Sequence, residues 1–168
     1  ALRGLVFSAS VPATGVAPGT AISTTAAFTL HNPTGSGKNL VVLTGSMGYV
    51  SGTLGAGSIL WTANTIPVST APSGTPCTVV KTLISSSTAG AVGLPTYTTT
   101  IVAPTILRPA FNLGAALAST AGIWPTLIDR VDGEFVVAPG CSINLMGLAA
   151  AGSSPLVTLG ASWAEVSV

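Results

Sequence analysis

The sequence predicts an all-β protein built as a β-sandwich of two antiparallel sheets. Apolar residues recur with period two, as in Ala26, Phe28 and Leu30, which is the spacing of a strand with one buried face. Turn-forming residues are frequent, with 20 glycines and 12 prolines in 168 residues, and their short intervals favour many short strands. The best helical candidate, 112–120, contains a glycine and several alanines and allows only a short helix.

The strands follow from the runs of alternating Val, Thr, Leu and Ile between these breakers. We expect strands at 4–9, 22–31, 39–50, 58–64, 77–85, 97–103, 105–111, 133–138, 141–150 and 156–167. The stretches 68–76 and 85–96 are rich in Ser, Thr, Gly and Pro and are interpreted as loops. Residues 1–20 are interpreted as an extended N-terminal arm or first strand, and residues 21–168 as a single domain.

The last third of the chain carries the sharpest local pattern. Residues 132–145 follow the order turn, strand, Pro139-Gly140 turn, strand, because proline fixes φ and glycine accepts a positive φ. Residues 153–165 then return as a long final strand. We interpret this as two closing hairpins, which are typical of a jelly-roll sandwich.

Charge is scarce. The chain has five basic and four acidic residues, or 5% charged residues, whereas soluble domains average about 25%. A monomer of 16.4 kDa should expose roughly 7,500 Å² to water. Dispersed charge keeps proteins apart in solution. This composition therefore indicates a subunit that neighbouring proteins largely cover, that is, a structural component of an assembly.

Composition also limits the partners. A net charge of +1 offers no electrostatic footprint for nucleic acid. Mean hydropathy is high, +0.72, but no apolar run reaches the 18 or so residues of a membrane span, so no membrane partner is expected. The start of the chain lacks a basic region followed by an apolar one. We therefore expect no secretion signal, a mature start at Ala1 and synthesis in the cytoplasm.

Two cysteines, Cys77 and Cys141, and one histidine are too few for a zinc site of the usual kind. Buried free thiols are the expected state in a reducing compartment. A Cys77–Cys141 disulfide stays open as an alternative, provided that the fold brings the two Cα atoms close enough. No metal site and no cofactor are expected.

Two motifs suggest enzymes but fit them poorly. Residues 35–38, Gly-Ser-Gly-Lys, resemble part of a phosphate-binding loop, but Asn32 and Asn39 stand where that loop needs Gly and Ser or Thr. We interpret 35–38 as a hairpin turn in which Lys38 is a solvated charge. The sole histidine, His31, is far in sequence from all four carboxylates. We expect a turn or interface histidine, no catalytic residue and no small-molecule substrate.

The acidic cluster of Asp129, Asp132 and Glu134 has three open interpretations. Its carboxylates could bind calcium, or could serve as the acid and base of a glycosidase. The favoured interpretation is a solvated or salt-bridging loop that fixes the register between subunits, with Arg108 or Arg3 as the opposing cation across an interface. Nearby, Trp124 is either a core residue or an aromatic anchor at a subunit boundary.

The segment 28–43, FTLHNPTGSGKNLVVL, and the Gly133–Gly140 stretch with its final strand ending Trp163-Ala164-Glu165-Val166 together carry a family resemblance. They resemble tailed-phage capsid decoration (cement) proteins with a tumour-necrosis-factor-like jelly roll. The resemblance covers about a third of the chain. It implies a homotrimer on the outer surface of an icosahedral capsid in the virion, where it bridges major capsid proteins. A tail-tip or receptor-binding jelly roll and a small shell protein are the alternatives.

Overall fold

A computed structural model describes residues 5–65, 71–83, 90–114 and 126–168. These residues form strands and connections without a helix, which confirms the all-β prediction. Within the helical candidate, Asn112 and Leu113 end a strand, and 115–120 lie outside the described residues. The strands are β1 (Val6–Ser10), β2 (Thr25–His31), β3 (Lys38–Ser51), β4 (Gly57–Asn64), β5 (Ser73–Pro76), β6 (Val79–Lys81), β7 (Leu94–Thr100), β8 (Thr105–Leu113), β9 (Leu127–Arg130), β10 (Val136–Val137), β11 (Ser142–Leu148) and β12 (Leu156–Ser167).

The strands form two six-stranded antiparallel sheets, as predicted for a sandwich. Sheet A has the order β10-β3-β12-β1-β6, with β9 also paired to β3, and sheet B has the order β5-β7-β2-β11-β4-β8. Strands from the first and the second half of the chain therefore alternate in both sheets, except for β1 and β6, which both come from the first half. The finer description of this sandwich as a jelly roll stays a prediction.

No two consecutive strands of the described chain are hydrogen-bonded to each other, so the predicted hairpins are wrong. The turn after His31 leads from sheet B to sheet A. The chain around Pro139-Gly140 leads back from β10 in sheet A to β11 in sheet B. Asn32 holds both crossings together, because its fully buried side-chain amide donates to the carbonyls of Lys38 and Val137, each at 2.8 Å.

Several strand bounds differ from the sequence prediction because backbone pairing overrides propensity. β5, Ser-Gly-Thr-Pro, lies in a predicted loop and is a strand because it pairs with β7. β9 has no predicted counterpart and pairs with β3. The strand expected at 77–85 is confined to β6 among the described residues, and the one expected at 133–138 to the short β10. The strand expected at 97–103 begins earlier, at Leu94, and ends at Thr100.

The core lies between the sheets and follows the predicted alternation. Phe28 and Leu30 of sheet B face Leu159 and Trp163 of sheet A, and all four are almost fully buried. Ala26 departs from this pattern, because it packs in a second, smaller cluster with Ile101 and Met146. β1 lies inside sheet A between β12 and β6, with Phe7 stacked on Trp163 at 6.0 Å between ring centroids. The described part of segment 1–20 thus belongs to the sandwich of its own chain.

Candidate interaction surface

At one side of the sandwich, Arg108 links the two sheets through ion pairs. Arg108 lies on β8, at the edge of sheet B, and its Nη1 donates to Asp129 Oδ2 on β9 of sheet A at 2.9 Å. Its Nε donates to Glu134 Oε2, also at 2.9 Å. Asp129 Oδ2 also accepts from the indole N–H of Trp61 at 2.6 Å. We call these four side chains the Arg108 cluster.

The Arg108 cluster places the predicted cation–carboxylate pair within one chain and not across a subunit interface. Burial alone would lower the pKa of Arg108, but the hydrogen bonds and the charges of Glu134 and Asp129 outweigh it and raise that pKa. Asp129 and Glu134 thus meet at Arg108, and in the described part of the chain no group of three or more His, Cys, Asp or Glu side chains is placed to hold a metal ion. Asp132 lies apart in the β9–β10 connection and is exposed. Arg3 lies outside the described residues.

An apolar groove of about 340 Å³ adjoins the Arg108 cluster. Phe135 forms its wall next to Arg108, whose Cζ lies 5.1 Å from the centre of the phenyl ring. Val136 and Leu107 also line the groove and are exposed. Exposed apolar side chains beside a salt-bridged arginine form the kind of surface that a protein partner covers.

The outer face of sheet A is nearly free of charge. Alternation turns Ser162 and Ser8 outward, because their neighbours Trp163 and Phe7 are buried. Its central positions are small residues, namely Ser8, Ser10, Thr44, Ser46, Gly48, Thr158, Gly160, Ser162 and Ala164. Arg130, opposite Thr44, is the single charged side chain at an outward position of the described sheet. We call this surface the sheet A face.

A second ionic group lies inside the sandwich, around Glu165 on β12. This carboxylate is almost fully buried and accepts four hydrogen bonds. The donors are Lys38 Nζ at 3.0 Å, the backbone N–H of Val92 at 2.8 Å, that of Gly93 at 3.0 Å and Trp163 Nε1 at 3.2 Å. We call Glu165 and these donors the Glu165 cluster. Lys38 is therefore not the solvated charge that the sequence suggested.

Comparison with protein-family models, with curated proteins and with solved structures finds no match. In the described ranges, no helix is long and apolar enough to cross a membrane. Function is therefore argued from the surfaces and contacts of this chain.

His31 is neither in a turn nor at an exposed surface. It ends β2, is 4% exposed, and its Nδ1 lies 3.1 Å from the carbonyl oxygen of Cys141. Because a carbonyl only accepts, Nδ1 carries the proton in this contact. Burial lowers the pKa of His31, and the hydrogen bond to Cys141 opposes that shift. Ser142 is its cross-strand neighbour, but the Ser142 hydroxyl donates to Asn64.

The remaining candidate residues are the two cysteines and the tryptophans. Cys77 and Cys141 are both free thiols. Burial raises the pKa of Cys77 to about 11 and also raises that of Cys141, so neither is an activated nucleophile. Trp61 and Trp163 are fully buried, whereas Trp124 lies outside the described residues.

Sequence reasoning missed Glu165, Asn32 and Asn64, which hold buried hydrogen-bond networks. For Glu165 a signal existed. The alternation Val157, Leu159, Ala161, Trp163 continues to Glu165 and assigns it to the inward face.

Proposed function

We propose that this chain is a structural subunit of a protein assembly, and specifically a capsid decoration (cement) protein. In this proposal it binds the outside of an icosahedral capsid as a homotrimer and stabilises contacts between major capsid proteins. The observation that carries the proposal is the sheet A face, a broad β surface with a single charged side chain.

The placement of the charges strengthens this argument beyond composition. Lys38 pairs with the buried Glu165, and Arg108 pairs with both Asp129 and Glu134, so five of the nine charged side chains are engaged in ion pairs within the chain. The chain nevertheless exposes 8009 Å². Few charges are left to keep copies of the chain apart, so covering this surface with neighbouring proteins incurs little charge desolvation.

The finer parts of the proposal, the jelly roll, the trimer and the capsid, come from the family resemblance. The alternation of early and late strands in both sheets supports the jelly roll, because hairpin-connected meanders would place consecutive strands side by side. A rigid trimer would bind several shell subunits at once. Several modest contacts then act at high effective concentration, so the trimer raises the free energy needed to rupture the shell.

Sedimentation velocity tests the assembly directly. We expect the purified chain to sediment as a trimer in both low and high salt, because a charge-poor interface is little affected by screening. Ser8→Lys introduces a charge into the sheet A face and should dissociate the trimer. The matched control Ser153→Lys adds the same charge in an exposed loop and should leave it intact. A monomer at high concentration in every condition would contradict the proposal.

A density map of a particle that contains this chain distinguishes the capsid role from its alternatives. A decoration protein lies on the outer surface of the head shell, whereas a receptor-binding jelly roll lies at the tail tip. A shell protein would form the continuous wall of the head. Release from heads at moderate salt would also count against the decoration role, since a chain with 5% charged residues offers few ionic contacts to the shell.

A further inference from the structure

The outer face of sheet B carries polar residues that are nevertheless buried. One row crosses four neighbouring strands in register, from Thr62 on β4 through Asn144 and Thr29 to Thr96 on β7. These side chains face away from the core, because their neighbours in each strand, such as Phe28 and Leu145, point into it. Thr62, Asn144 and Thr29 are each 0% exposed. We call Thr62, Asn144, Thr29 and Thr96 the polar row.

Neighbouring hydrogen bonds fix the orientation of the Asn144 amide. Asn64 Nδ2 donates to the Val102 carbonyl at 2.8 Å, so Asn64 Oδ1 is left to accept from Ser142 and from Asn144 Nδ2. Asn144 Nδ2 also lies 3.4 Å from the carbonyl oxygen of Thr62. Turning the Asn144 amide over would place its oxygen against these two acceptors. Its Nδ2 therefore faces β4, and its Oδ1 faces away from β4.

Two oxygens of the polar row have no hydrogen-bond partner among the described residues. They are Asn144 Oδ1 and Thr29 Oγ1, and both are buried. The two residues are direct cross-strand partners on β11 and β2 and face the same side of the sheet. Buried polar atoms in folded proteins are bonded to protein or to ordered water with few exceptions. Both oxygens therefore need a partner. Asn144 Oδ1 can only accept a hydrogen bond, whereas Thr29 Oγ1 can both donate and accept one.

We propose that the polar row binds an ordered internal water molecule between Asn144 Oδ1 and Thr29 Oγ1. The water donates one hydrogen bond to the amide oxygen and exchanges a second with the threonine hydroxyl. It thereby completes the hydrogen bonding of the row across the centre of sheet B. Internal waters of this kind use two to four polar partners and are integral to the fold.

The chemistry of the site favours water over a cation. A hard cation takes about six or more oxygen ligands, usually including carboxylates. Asp129 and Glu134 bind Arg108, and Glu165 binds Lys38. These three carboxylates belong to sheet A or to the β9–β10 connection and not to sheet B. Asp132 is exposed in that connection. The polar row itself offers neutral oxygens alone, which match the hydrogen-bonding capacity of water.

A crystal structure at about 1.5 Å or better tests the proposal, since such maps resolve ordered waters well. We expect a solvent peak at hydrogen-bond distance, about 2.7 to 3.2 Å, from both oxygens. Thr29→Val removes the hydroxyl without changing the shape of the side chain, and it should abolish or displace that peak. The conservative control Thr29→Ser keeps the hydroxyl and should retain it.

Oxygen-17 magnetic relaxation dispersion gives a second readout in solution. The wild type and Thr29→Ser should show one more long-lived water than Thr29→Val. Thr44→Val, which removes a hydroxyl from the sheet A face, should show the wild-type number. The proposal fails if a protein group bonds directly to Asn144 Oδ1 and Thr29 Oγ1 in the map. It also fails if Thr29→Val leaves both the solvent peak and the number of long-lived waters unchanged.

Discussion

The two ionic clusters join sheet A to sheet B at opposite sides of sheet B, and they differ mainly in burial. The Glu165 cluster holds the segment that leads into β7, with a carboxylate whose side chain is 0% exposed. The Arg108 cluster holds β8, and the Glu134 side chain in it is 53% exposed. Burial makes the first cluster a structural element. Solvent access and the neighbouring apolar groove leave the second available to a partner.

Among the residues of the two ionic clusters, we expect substitution of Glu165 to lower stability the most. Glu165→Ala removes the acceptor of four hydrogen bonds and leaves Lys38 and two backbone N–H groups without it. We expect the free energy of unfolding to fall by about 3 to 5 kcal/mol, as for other broken buried ion pairs. Chemical denaturation measures it. Glu165→Gln keeps one side-chain oxygen as an acceptor and should lose less, about 1 to 2 kcal/mol. Equal losses for Ala and Gln would show that the charge dominates instead.

The second largest loss of stability should come from displacing Trp61 of the Arg108 cluster, a substitution that changes no charged residue. A Cβ on Gly45 would overlap with Cζ2 of Trp61, so Gly45→Ala should displace the indole that donates to Asp129. We expect a loss of about 2 kcal/mol, typical of overpacking in a close-packed core. A Cβ on Gly114 would meet no atom of the described residues within 4 Å, so Gly114→Ala is the control. Thermal or chemical unfolding compares the two, and similar stabilities would refute the close packing described here.

Within the Arg108 cluster, burial should rank the two carboxylates. Asp129 is 15% exposed and bonds to both Trp61 and Arg108, so Asp129→Asn should lower stability by about 1 to 2 kcal/mol. Glu134→Gln should lower it by at most about 0.5 kcal/mol, because half-exposed ion pairs contribute little. Unfolding in low and high salt checks the ranking, and the Glu134 effect should shrink with salt. The reverse order would contradict the comparison.

The smallest expected effect is the dependence of stability on pH that results from the burial of His31. Its pKa is lowered by burial from the ordinary value of 6.5, so the unfolded chain takes up its proton at a higher pH than the folded one. The stability it contributes is therefore present above pH 6.5 and declines as pH falls below it, by at most about 1.4 kcal/mol per pH unit for one proton. Unfolding measured from pH 7.5 to 5 should show this decline. His31→Gln, which leaves no histidine in the chain, should flatten the curve between pH 6.5 and the lowered pKa.

The sequence predicted the two antiparallel sheets and most strands because these follow from local alternation. Leu156–Ser167 even has the predicted bounds. Hairpins could not be separated from sheet-to-sheet crossings, because the same Pro-Gly and Gly-Ser-Gly signals mark both. What decides between them is Asn32, whose amide bonds to residues 6 and 105 positions away.

The candidate surface was harder to predict than the fold. Composition indicated a charge-poor exterior, but the pairing of Arg108 with Asp129 and Glu134 depends on the meeting of edge strands from different sheets. Such contacts leave no periodic trace in the sequence. The inward position of Glu165 did leave one, in the alternation of the final strand, and a polar residue at the end of an apolar series is the signal to look for.

Consecutive strands of the described chain are not hydrogen-bonded to each other, and this affects how the protein folds during synthesis. β12 lies between β1 and β3 in sheet A, so neither can pair with it until Leu156–Ser167 has been synthesised and has left the ribosome. At about 5 to 20 residues per second, β1 waits on the order of ten seconds for that partner. During that interval the nascent chain exposes strand edges that invite aggregation. Once β12 has emerged, folding should take milliseconds to seconds, the range for domains whose contacts are mostly remote in sequence.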